Sequence, residues 1–339
     1  MVVGDPPTKR PKSEQPSHVP AGGSAAWEAL EYTAGFHNYC STEAVAGVLP
    51  IGQNSPQHVA HGLFAEQLSG TAFTCPRATN RRTWAYRLAP SVKQGGYAPT
   101  SANSTPLLSA EFPVVDPNPR RWSPLPLAPE GARTDFVDGL QTICGAGQPS
   151  MKDGVAIHMY ACNAPMADRA FCNADGELLI VPQRGVLHVT TELGRLRVAP
   201  NEIVVIPRNL RFSIDPAETA SLAAAACRGY VLELYASRGF VLPELGPIGA
   251  NGLAEPRDFL NPVAFYEDRL CANGFVITTK YGGKLFDTKR THSPYGAPSG
   301  CRHRPEGEPR GRAPRESPER EPRGRAPRES PEGLRVSSG

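Results

Sequence analysis

The stretch that most constrains the fold is FCNADGELLIVPQRGVLHVTTELGRLRVAPNEIVVIPRNLRFSI, from Phe171 to Ile214. Short runs of β-branched and apolar residues are broken here by turn residues every few positions. Leu178 to Val181 reads as a buried strand closed by Pro182. Val186 to Glu192 and Arg195 to Val198 read as a hairpin turned at Leu193-Gly194. Ile203 to Ile206 follows, stopped by Pro207, and then Leu210 to Ile214. Closely spaced strands with Gly or Pro at the corners predict a β-sandwich or barrel, because no run is long enough for a helix of useful length. The expected fold class is therefore mainly β.

Flanking segments extend the pattern. In GVAIHMYAC, Val155, Ile157, Met159 and Ala161 alternate with Ala156, His158 and Tyr160, as a strand requires. Gly229 to Phe240 and Gly274 to Lys280 add two more strands. The span from Glu31 to Ser91 is rich in aromatic and polar residues and contains no long helix. Ser91 to Pro129, with its proline clusters, reads as a long surface connection of the kind that embraces neighbours in an oligomer. Asn201-Glu202, then Pro207-x-Asn209 and Phe212, resembles the second half of a cupin barrel motif. A cupin places a metal-ligating His near the position of Phe212 and a His-x-His pair upstream. This sequence has neither, so a cupin-like scaffold without its usual metal site is expected.

Charge is unevenly placed. The chain of 339 residues carries a formal charge of +3. The segment from Arg302 to Gly339 holds 10 Arg and 7 Glu, which accounts for that whole excess. A neutral body gives no electrostatic case for nucleic acid or membrane as a partner. The longest apolar run, Ala220 to Ala226, is far too short to span a bilayer. Cys40, Cys75, Cys144, Cys162, Cys172, Cys227, Cys271 and Cys301 form no C-x-x-C pair and no zinc spacing. Without an apolar leader at the N-terminus they are expected to be free thiols of a cytosolic protein.

Three segments are expected: residues 1–29 as a disordered extension, 30–290 as the β-domain, and 291–339 as a low-complexity tail. The extension is rich in Pro, Lys, Ser and Gly, and its KRPK run at Lys9 to Lys12 is read as a solvated charge cluster rather than a nuclear signal. In the tail, EPRGRAPRESPE occurs at Glu308 and again at Glu321. A repeat of Arg, Pro, Glu and Gly has no apolar face with which to pack.

Candidate functional residues are sparse. Glu66, Arg77, Arg81 and Arg82 would suit an anion or carboxylate site, against the plainer reading of ion pairs around a wrapping loop. Glu66 and Arg77 are the two polar residues most worth testing. His158, His188 and Glu192 could make a two-His, one-carboxylate iron triad, since His188 and Glu192 share a strand face. The competing reading makes His158 a hydrogen-bonded histidine on the sheet.

Long blocks of the chain resemble the homogentisate 1,2-dioxygenase family, in a version most like the plant enzymes. They are YTAGFHN at Tyr32, FAEQLSGTAFTCPR at Phe64, DFVDGLQTICGAG at Asp135, GVAIHMYACN at Gly154, FCNADGELLIVPQ at Phe171 and LGPIGANGLAEPRDFL at Leu245. The resemblance runs from about Leu30 to Pro294. It implies an N-terminal cupin-like, jelly-roll β-domain with long loops, belonging to a cytosolic Fe(II) enzyme of tyrosine and phenylalanine catabolism. Such an enzyme inserts both atoms of O2 into homogentisate to give maleylacetoacetate, and its protomers form trimers and hexamers. In the family the iron ligands, two His and one Glu, lie in a C-terminal domain with the acid–base His. Beyond KLFDTKRTHSPYG the resemblance stops and the repeat tail follows. No catalytic or metal-ligating role therefore carries onto any residue of this chain, including His292 and His303. The expectation is a truncated family member that binds no iron and is inactive alone. The alternative is a non-catalytic subunit that mixes with full-length protomers.

Overall fold

The computed structural model describes residues 27–35, 41–49, 60–76, 80–100, 118–119, 121, 123–129, 131–218, 220–241 and 255–295. The expectations for residues 1–26 and for the tail from 296 onward lie outside these, as do Arg77 and half of the connection after Ser91.

Two antiparallel-rich sheets face each other. The smaller is built from β5 (Leu140–Gln148), β6 (Asp153–Cys162), β8 (Glu177–Arg184), β11 (Val204–Ile206) and β13 (Cys227–Leu234), in the order β11-β8-β13-β6-β5. The larger is built from β4 (Ala98–Pro99), β7 (Arg169–Asn173), β9 (Leu187–Thr191), β10 (Gly194–Val198), β12 (Arg211–Pro216), β15 (Leu270–Tyr281) and β16 (Lys284–His292), in the order β10-β9-β12-β7-β15-β16-β4. From β6 to β13 the chain passes back and forth between the sheets, broken by the β9–β10 hairpin, while β5–β6 and β15–β16 are hairpins within one sheet; among the described residues only the β7–β15 pairing is parallel. This is the cupin-like β-sandwich that the turn-punctuated stretch called for. Two short pairs stand outside the sandwich: β2 (Phe64–Ser69) with β3 (Arg82–Arg87), and β1 (Tyr32–Ala34) with β14 (Leu260–Pro262).

Alternation decides which side chains fill the middle. Ile180, Val231 and Tyr160 point inward from the smaller sheet, and Phe171, Leu187, Val189, Phe212 and Ile214 meet them from the larger. Phe212 stacks edge-on with Phe171 at 5.7 Å, so this position is a core aromatic. On β6 the inward set is Ala156, His158 and Tyr160, whereas Val155, Ile157 and Met159 remain half-exposed.

Several boundaries differ from expectation. β8 does not close at Pro182 but runs on to Arg184. Pro182 lies beyond the reach of β11, which pairs only with Leu178 to Ile180, so the missing N–H interrupts no ladder on that side. Its opposite neighbour is Gly229, next to a register shift. β8 then turns at Gly185, whose φ of +80° is left-handed and where a Cβ would come within 2.4 Å of the Cys227 sulfur. β13 begins at Cys227 and ends at Leu234, not at Phe240, and β5, β7 and the β2–β3 hairpin are strands that the pattern did not mark. Asn201 and Asn209 take left-handed backbone at the two corners marked by Pro200 and Pro207, where asparagine is tolerated. At both ends the described body reaches past the expected boundaries at 30 and 290: Trp27 is buried, β16 ends at His292, and Tyr295 is buried.

Candidate functional site

Two buried polar clusters lie against the sandwich. The first grows from the inward face of the smaller sheet. Glu233, fully buried on β13, accepts from His158 Nε2 at 2.9 Å, from Asn173 Nδ2 at 2.6 Å and from Lys280 Nζ at 2.8 and 3.0 Å. Lys280 also donates to Asp175 at 2.9 Å, and the N–H groups of Gly282 and Gly283 complete the Asp175 carboxylate at 2.7 and 2.8 Å. The Lys280 ammonium lies 5.3 Å from the centre of the Tyr235 ring. Burial alone would push the Glu233 carboxyl up. The His158 hydrogen bond and the Lys280 ammonium outweigh it and hold the group down at about 2. Lys280 thus supplies, between two carboxylates, the positive charge that a bound cation would otherwise bring.

The second cluster lies between the β2–β3 hairpin and the larger sheet. Glu192, beyond the end of β9, accepts from Arg87 Nη1 at 2.5 Å, from Arg211 Nη1 at 2.9 Å and from the Arg211 backbone N–H at 3.0 Å. Burial opposes ionisation of Glu192, but the two guanidiniums hold its carboxyl below the ordinary range. Glu66 accepts from the Ser91 N–H and hydroxyl, both at 2.6 Å, and its other contact is Arg87 Nε at 2.8 Å. Arg290 completes the group.

These clusters assign the candidate residues. Glu66 pins the turn after β3 through Ser91 and faces Arg87, while Arg77 lies outside the described residues. Arg81 pairs with Glu177 and the Phe240 carbonyl, and Arg82 donates to Gln67 at 2.7 Å. The three members of the suggested iron triad are not brought together. His158 has Thr142 Oγ1 at 2.9 Å from Nδ1 as well as Glu233 on Nε2, so both ring nitrogens are engaged. His188 lies on the other sheet and stacks on Trp27, 4.1 Å apart and nearly parallel. Glu192 belongs to the arginines. That corrects the triad: all three groups are buried, but each already serves a different partner. Among the described residues no three His, Cys, Asp or Glu side chains are grouped to hold a metal ion.

Sequence reasoning passed over Glu233, Lys280, Asp175, Arg87, Arg211 and Arg290. One signal was available for Glu233, which falls in step with Val231 and Tyr235 on the otherwise apolar inward face of its strand. The others sit at strand ends and corners, where no periodicity marks direction.

A two-sheet cupin-like β-sandwich whose inner polar positions are closed by internal ion pairs defines the class of protein. The chain matches the family described as homogentisate 1,2-dioxygenase N-terminal over residues 31–298, and it belongs to that family. It is 49% identical over 272 residues to "Homogentisate 1,2-dioxygenase" of Homo sapiens, covering 78% of this chain and 58% of that one. It is 50% identical over 272 residues to the protein of the same name from Arabidopsis thaliana, covering 79% and 57%. The chain therefore spans somewhat over half the length of the curated relatives it matches. Among solved structures, a cupin-2 domain protein from Shewanella frigidimarina aligns at a TM-score of 0.20 and 14% identity, covering 24% of this chain and 70% of that one. Among the described residues no helix is long and apolar enough to cross a membrane.

Proposed function

We propose that this chain supplies the N-terminal scaffold of an Fe(II)-dependent ring-cleaving dioxygenase acting on homogentisate and O2 in the cytosol, with no iron held by the described residues. The observation that carries the reading is the full engagement of the buried ligand-type groups. His158 has no nitrogen left to offer a metal, and Glu192 is covered by two guanidiniums. A two-His, one-carboxylate centre needs three such groups converging with open positions for substrate and O2. The domain's part in catalysis is then to present a rigid surface to the residues that hold the iron, and the chain alone turns over no homogentisate. Iron content after anaerobic reconstitution with Fe(II) tests this. Substoichiometric, readily chelated iron is expected. One tightly held iron per chain, lost in the His158→Ala/His188→Ala double variant, would overturn it.

A second reading, that the chain joins protomers of the same family in an oligomer, is favoured by the outer face of the smaller sheet. The ladder sets Val205, Leu179, Leu232 and Ile157 side by side, with Val181, Tyr230 and Met159 in the next row. All are at least partly exposed; Tyr230 is 46% exposed and Val205 42%. A contiguous apolar sheet face on a soluble domain marks an interaction surface. Light scattering of the chain and its Tyr230→Lys variant tests this. Loss of self-association, or of co-purification with a full-length relative, is expected in the variant; unchanged assembly would sink it.

A further inference from the structure

The second polar cluster is unbalanced. Three guanidiniums, Arg87, Arg211 and Arg290, converge on two carboxylates, Glu66 and Glu192. Arg290 is only 5% exposed, yet among the described residues it reaches no carboxylate and donates only to the Ser91 and Pro90 carbonyls, at 3.4 and 3.3 Å. Its Nε–H has no acceptor. Arg87, 2% exposed, likewise has no acceptor for Nη2, and although its Nε lies 2.8 Å from Glu66 the N–H is not aimed at that oxygen. Buried donors without acceptors are rare and costly, the more so on charged groups. Arg87 and Arg290 line the same cleft, together with His292, Ser293 and Glu267. The cleft gives the centre of a water-sized sphere about 10 Å³ of room, enough for one small occupant.

We propose that this cleft holds one small monovalent anion of chloride size, bound between Arg87 and Arg290. Such an ion accepts from N–H groups that have no acceptor among the described residues and places a negative charge directly between two buried guanidiniums. A water molecule accepts from the donors but brings no charge, and it adds two further donors of its own. Glu267, which also lines the cleft, is occupied by Arg269, and Ser293 Oγ is 3.4 Å away from it. Asp268 and Arg269 also line the cleft, and both are exposed. The cleft is too small for a larger carboxylic acid. Consistent with a buried guanidinium beside two others, burial and then Arg211 and Arg87 push Arg290 down to about 10. An anion in the cleft would reverse that push. The site does not depend on the catalytic reading, since none of its residues is assigned to iron or substrate.

The test uses the whole purified chain in sodium gluconate, with chloride or bromide exchanged in at constant ionic strength. A saturable rise in Tm with either halide is expected, because a ligand bound only to the native state stabilises it. In Arg290→Met that halide-dependent rise is expected to vanish. If Arg290→Met does not fold, bromide-exchanged crystals of the native chain decide: an anomalous peak between Arg87 and Arg290 supports the site. Identical Tm in halide and gluconate with no such peak overturns it, as does a carboxylate side chain of a neighbouring copy seated in the cleft.

Discussion

Lys280 Nζ lies 2.8 Å from Glu233 Oε1, with the two side chains 2% and 0% exposed to water. Neither group has access to solvent if its partner is removed. Lys280→Met leaves Glu233 and Asp175 as adjacent buried carboxylates, and Glu233→Gln leaves the ammonium with Asp175 alone. Each single change is expected to cost about 3–5 kcal/mol, the usual penalty for orphaning a buried charge. Urea unfolding of both single variants and the double variant measures it. A coupling energy above about 1 kcal/mol is expected, and additive losses would show that the pair does not interact.

Glu233 also sets an acid limit. Folded, its carboxyl titrates near 2, against about 4.3 for an unperturbed glutamate. The folded protein thus binds this proton less readily than the unfolded chain. The stabilisation is present in full above about pH 5 and is lost as pH falls toward 2, on the order of 3 kcal/mol in all. Stability measured from pH 5 to 2 should fall less steeply in Glu233→Gln than in the parent chain.

His188 acts in a higher window. Burial, and then the neighbouring Arg197, push its imidazole down to about 4, against about 6.5 for a free histidine. Protonation therefore favours the unfolded chain between those two values. Stability is at its plateau above pH 6.5 and is lost as pH falls toward 4. Replacing His188 by Phe preserves a flat ring for Trp27 to stack on and removes the titration. The Tm difference between pH 7.5 and 5.0 should shrink in that variant, and an unchanged difference would place the acid sensitivity elsewhere.

The thiols should react in two groups. Cys144 is exposed and Cys75 partly so, whereas Cys162, Cys172, Cys227 and Cys271 are buried. Burial, followed by the Glu192 charge, raises the Cys172 thiol to about 12, leaving almost no thiolate at neutral pH. Among the described cysteines, iodoacetamide at pH 8 should label Cys144 first and leave Cys172 unmodified until the chain is unfolded. Mass mapping of the labelled peptides would show it, and early labelling of Cys172 would contradict its burial.

Much of the sandwich was legible in the chain because strands declare themselves locally. Gly185, Pro207 and Asn209 mark corners through backbone preferences that act within a few residues. The alternation in GVAIHMYAC fixes which side chains share a face whatever the sheet order. The strands that went unmarked, β5 and β7, lack this contrast: CGAGQ carries little apolar weight, and β7 is buried on both faces, so it shows no alternation.

The polar clusters were a different matter. His158 read correctly as a hydrogen-bonded histidine, but its partner Glu233 is 75 residues away on β13, and Lys280 is a further 47 beyond that. Arg87 meets Glu192 across 105 residues. The sequence by itself determined the strand periods, the corners, the family and the neutral charge of the body, because each depends on neighbours in the chain or on composition. Only the tertiary structure decided that His158, His188 and Glu192 are kept apart and that Arg290 has no carboxylate. Ion pairing inside a low-dielectric sandwich depends on strand order and register, and those are set by which apolar faces meet rather than by the charges themselves.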